Sequence, residues 1–70
     1  MKRYTVAYRE HSAAMAEETT VVAKSKADAW AAVAMEPTAD GDYVYSAWVV
    51  SVQYSNGRVQ YFNTSEGNAY

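Results

Sequence analysis

The chain has 70 residues and a formal net charge of −2, with no cysteine and one histidine, His11. That length holds one domain near the lower limit for folding unaided, and the inventory excludes disulfides, a cysteine nucleophile, thiolate metal sites and a multi-histidine metal centre within one chain. The acidic balance argues against broad attraction to nucleic acid or anionic membrane, and no apolar run approaches the roughly 20 residues that span a bilayer.

The start, MKRYTVAYREHS, opens with two basic residues, Lys2 and Arg3, but has no apolar signal-peptide core, so cytoplasmic residence is the expectation. From Lys2 to Arg9 the segment alternates. Tyr4, Val6 and Tyr8 point one way, and Arg3, Thr5, Ala7 and Arg9 point the other. EHSAAMAE, residues 10–17, is too polar and alanine-rich for a strand and reads as a loop, with room for a helical turn. Glu18 to Lys24 is rich in β-formers and reads as a second, antiparallel strand.

Ser25 has the character of a helix N-cap, with Asp28 three residues on at the positive end of the helix dipole. The helix extends to Glu36, and Pro37 stops it. Ala29, Trp30 and Val33 form its core face, while Ala27, Ala31, Ala34 and Met35 make an unusually apolar outer stripe. Residues 38–42, TADGD, form a turn. Tyr43 to Tyr54 then reads as a long strand that bends or bulges near Ser46-Ala47.

The final stretch, VQYSNGRVQYF, is almost symmetric about Asn56-Gly57, the favoured pair for a two-residue type I′ turn. That turn opposes Tyr54 to Val59, Val52 to Tyr61 and Ser51 to Phe62. One face then carries Trp48, Val50, Val52, Tyr54, Val59 and Tyr61 as core. Val49, Ser51, Gln53, Ser55, Arg58, Gln60 and Phe62 lie on a wetter reverse. Residues 64–70 lack periodicity and read as a flexible tail behind a single domain of residues 1–63. The expected fold is an α+β two-layer sandwich of order β-β-α-β-β, with a four-stranded, largely antiparallel sheet and one helix on one face.

Chemistry-bearing patterns are sparse. Glu10, His11 and Ser12 adjoin in a loop, where no rigid frame converges them into a triad. Asp40-Gly41-Asp42 resembles part of a calcium loop, but Ser51 stands where the bidentate glutamate belongs. Glu17 and Glu18 alternate across a strand and cannot share a proton; as edge charges they discourage aggregation. The three glycines are isolated, so no phosphate-cradling loop exists. Neither an enzyme nor a cofactor is expected.

The apolar surplus points instead to a protein partner, with homodimerisation through the sheet as one form. The expected contact surface is Tyr43, Tyr45, Val49, Arg58, Gln60 and Phe62 on the sheet and Met35 on the helix. The alternative is single-stranded nucleic acid on the open face, where Phe62, Arg58, Arg3 and Arg9 would supply stacking and charge.

The run YTVAYRE…ETTVVAKSKADAWAAV, residues 4–33, resembles a recurrent pattern in small proteins of phages and conjugative elements: a strand pair, a serine, then a short alanine-rich helix. The resemblance implies an accessory protein that acts by binding. Inhibitors of host proteins, anti-CRISPR proteins among them, are one such class.

Overall fold

The computed structural model describes residues 1–66. Four strands, β1 (Lys2–Arg9), β2 (Glu17–Ala23), β3 (Ser46–Gln53) and β4 (Val59–Tyr61), flank one helix, α1 (Lys26–Ala34). They form a single antiparallel sheet of order β2-β1-β3-β4, with α1 packed on one face. This is the expected two-layer α+β sandwich.

Most signals in the first half of the chain have their counterpart. The alternation of β1 buries Tyr4 and Val6 under the helix, and β2 contributes Val21 and Ala23 to the same side. The Ser25 hydroxyl accepts a hydrogen bond from the Asp28 amide at 3.2 Å, which satisfies one of the helix's unpaired donors. The helix closes at Met35, two residues ahead of Pro37, and sets Ala29 into the core with Trp30 and Val33 against it. Ala34 also packs on the core, so the outer apolar stripe is narrower than its spacing suggests. Residues 10–16 form the expected loop, with a turn closed by the Ala14 amide on the His11 carbonyl.

Two corrections concern β3 and its hairpin. The strand begins at Ser46, not Tyr43, and its irregularity falls further along. Thr5 opposes Ser51 while Val6 opposes Val49, so Val50 is an extra residue in β3. The bulge inverts the alternation. Ala47 and Val49 face the helix before it, and Val52 faces the helix after it.

The hairpin is not the two-residue turn. Gly57 has φ +89, whereas among the described residues no residue other than glycine has positive φ, so Asn56 does not adopt the type I′ geometry. The Gly57 amide bonds to the Tyr54 carbonyl at 2.9 Å, and the Tyr54 amide bonds to the Arg58 carbonyl at 2.8 Å. Ser55, Asn56 and Gly57 are therefore a three-residue loop, a type I turn closed by a left-handed glycine. The Asn56 side chain accepts from the Arg58 amide at 3.0 Å. Ser51 then opposes Tyr61 and Val52 opposes Gln60, one residue away from the symmetric register. A one-residue slip exchanges faces, so Tyr61 and Val59 turn away from the core.

The short β4 leaves much of the outer edge of β3 without a strand. Its carbonyls find other donors. The Trp30 indole N–H donates to Ala47 at 2.9 Å, the Thr64 hydroxyl to Val49, and the Phe62 amide to Val50 at 2.8 Å. The tail expected from residue 64 is thus anchored through Glu66, and residues 67–70 lie outside the described residues.

Candidate functional site

The sheet registers define the face opposite α1 row by row. At the hairpin end, Val22, Arg3, Gln53 and Val59 run across β2, β1, β3 and β4. The next row is Thr20, Thr5, Ser51 and Tyr61, followed by Glu18, Ala7 and Trp48, and then by Arg9 with Ser46. Among the described residues no helix covers this face. Val22, Val59 and Tyr61 are 58, 47 and 75% exposed on this side, with Trp48 partly buried in the third row. Ala7 and Ser51 are buried here because short side chains on a pleated surface are shielded by bulkier neighbours.

The residues expected to form one contact surface are divided between the two ends and the interior of the molecule. Val49 is fully buried beneath the helix, a consequence of the bulge. Phe62 is half-buried on the helix side, with the Lys26 ammonium 4.0 Å from its ring centre. Gln60 is exposed next to it and accepts from the Tyr54 hydroxyl at 2.7 Å. Arg58 sits at the hairpin base. Tyr43 and Tyr45 are 60% exposed, but in the connection before β3, at the opposite end of a molecule 36 Å long. Met35 is exposed at the helix terminus nearest them. Tyr61, Val59, Val22 and Trp48 are the open-face residues that periodicity missed. The available signal was the Ser-Asn-Gly triplet, which suits a three-residue loop as well as Asn-Gly suits a two-residue one.

Arg9 organises the end remote from the hairpin. Its guanidinium donates to the Ser12 and Ala14 carbonyls of the loop and to both Glu66 carboxylate oxygens at 2.6 Å, and it lies 5.4 Å from the Tyr45 ring centre. The Ser46 hydroxyl donates to the same carboxylate at 2.5 Å. These hydrogen bonds, from Ser46 first and then Arg9, hold the Glu66 carboxyl below the usual carboxylate range against a weaker opposing effect of burial.

The charges are sorted by end. Lys2, Arg3, Lys24, Lys26 and Arg58 all lie where β1 begins, β2 finishes and the hairpin turns. Glu10, Glu17, Glu18, Glu36, Asp40, Asp42 and Glu66 lie at the other end, with Arg9 as their counter-ion and Asp28 as the lone exception near the basic end. A net charge of −2 conceals a strongly polarised molecule.

A shallow groove of about 400 Å³ between the helix C-terminus and β1 has Tyr8, Val33 and Val44 among its walls and Glu10, Glu36 and Asp40 on its rim. His11 is exposed on its loop. Among the described residues, no three histidine or carboxylate side chains stand close enough to share a metal ion, and no helix is long and apolar enough to cross a membrane. Comparison with family models, curated proteins and solved structures finds no match for this chain.

Proposed function

We propose that this protein is a non-enzymatic binding module that receives a protein partner on the open face of its sheet. The observation that carries the reading is the placement of Val22, Val59 and Tyr61, all exposed, in two adjacent rows beside Arg3. Exposed aromatic and aliphatic side chains on a rigid frame, bordered by an arginine, have the composition of an interface core. The small size and the sequence pattern of residues 4–33 support a cytoplasmic accessory role of the kind played by inhibitors that phages and mobile elements direct at host proteins. A photo-crosslinking residue at position 61 tests this in the source cells. Adducts with one polypeptide at position 61, absent at position 43, are expected. Equal labelling from both positions, or none from position 61, overturns the reading.

The second reading, single-stranded nucleic acid, is favoured by one observation: the basic end adjoins the same rows that carry Tyr61. Titration of labelled DNA and RNA at two salt concentrations separates the two. Binding that falls steeply with salt supports nucleic acid, and none at low salt removes it.

A further inference from the structure

The two edges of the sheet are treated differently. Beyond β4, the carbonyls of β3 at Ala47, Val49 and Val50 are occupied by Trp30, Thr64 and Phe62, so the part of β3 that β4 leaves uncovered is closed to another strand, and β4 itself offers three residues. β2, the opposite edge, is a seven-residue strand with no proline, glycine or bulge and a Thr-Thr-Val-Val centre. Among the described residues, no backbone hydrogen bond beyond its ladder with β1 is made by β2. A regular edge of high β-propensity is a template for one more strand.

The charge distribution selects which strand. β2 runs from the acidic end to the basic end, from Glu17-Glu18 to Lys24, so a second β2 laid antiparallel sets each acidic end against a basic one. Parallel pairing would set like against like. If both helices lie on the same side of the joined sheet, a twofold axis perpendicular to it pairs residues of equal parity. The register centred on Val21 then opposes Thr20 to Val22 and brings Glu18 level with Lys24 of the second copy, twice by symmetry. Registers centred on Thr20 or Val22 lose that match.

We propose that β2 is a self-complementary edge, and that two copies join through it into a continuous eight-stranded sheet with the basic end of each beside the acidic end of the other. A twofold pairing of this kind closes on itself, because each copy uses its β2 edge once and the opposite edge ends in the three-residue β4. This goes beyond the open-face reading and uses a different surface, so crosslinking at position 61 reports on one and association state on the other.

Sedimentation across a concentration series, on the intact chain, decides it. A monomer–dimer equilibrium that weakens with salt is expected. Glu18→Lys and Lys24→Glu each place like charges opposite one another and weaken the dimer by roughly tenfold, from two lost pairs per interface. The double exchange restores it. Both side chains are exposed, so the variants are expected to fold, and circular dichroism is the check on that. Because the chain lacks cysteine, Val21→Cys supplies a second readout: an intermolecular disulfide forms at the twofold axis. A monomer at every concentration, charge reversals without effect, or open-ended polymers would each overturn the proposal.

Discussion

Arg9 and Glu66, 57 positions apart in sequence, are joined by a guanidinium nitrogen that donates to both carboxylate oxygens at 2.6 Å. The pair fastens the segment after β4 across the end of β3 and, through the carbonyls of Ser12 and Ala14, holds the β1–β2 loop to the same point. An exposed ion pair adds little to global stability, so its consequence is local order.

The hydrogen bonds that the Glu66 carboxylate accepts, from Ser46 first and then from Arg9, set a pH response. Glu66 titrates below its ordinary value of 4.5 when folded, so the unfolded chain binds the proton more readily. The docked segment keeps its full anchoring above that value and loses it as pH falls through the lowered one. Carboxyl-carbon NMR should place the Glu66 midpoint below 4.5 and return it upward in Ser46→Ala and Arg9→Ala. A midpoint at or above 4.5 in the natural sequence contradicts the geometry.

Val49 and Val50 are neighbours with opposite fates. Val49 is fully buried under α1, whereas Val50 is the half-exposed extra residue of the bulge. Val49→Ala should cost about 2 kcal/mol in urea unfolding, from two lost methyls and the space they leave, and Val50→Ala under about 1 kcal/mol. The reverse order would restore uninterrupted alternation along β3.

Gly57 tests the hairpin. A Cβ there meets nothing within 4 Å, so Gly57→Ala is penalised by its φ of +89 alone. The expected loss is about 1 kcal/mol in a thermal melt. Asn56→Ala removes the side-chain bond to the Arg58 amide without any left-handed requirement and should cost less. A larger loss at Asn56 would favour the two-residue turn.

Trp30 links helix and sheet edge through its indole N–H on the Ala47 carbonyl. Trp30→Phe keeps most of the ring but withdraws the donor from an edge that no strand covers. The expected loss is about 1 kcal/mol, read by chemical denaturation, and an unchanged midpoint would mean water replaces the indole at no cost.

Much of the fold is legible in the chain because it rests on local chemistry. The facing of Tyr4, Val6 and Tyr8, the serine cap and proline stop of α1, and the presence of a hairpin at Asn56-Gly57 each follow from a few adjacent residues. The surface is less legible. Val49 and Phe62 read as outward and lie on the helix side, while Tyr61 and Val59 read as core and lie outside. Both reversals come from single-residue changes of register, one at the Val50 bulge and one in the Ser55–Gly57 loop.

By itself, then, the sequence determined the order of elements, the start of the helix at Ser25 and the inward side of the first strand, since periodicity, capping and turn chemistry act over a turn of helix or a pair of residues. Only the tertiary structure decided which side chains of the last two strands meet solvent, which donors occupy the carbonyls of β3 beyond β4 and how the charges divide between the ends. Local preferences for two-residue and three-residue loops are close to balanced, and the choice falls to the burial of Val49 and Val52 against a helix some twenty residues upstream.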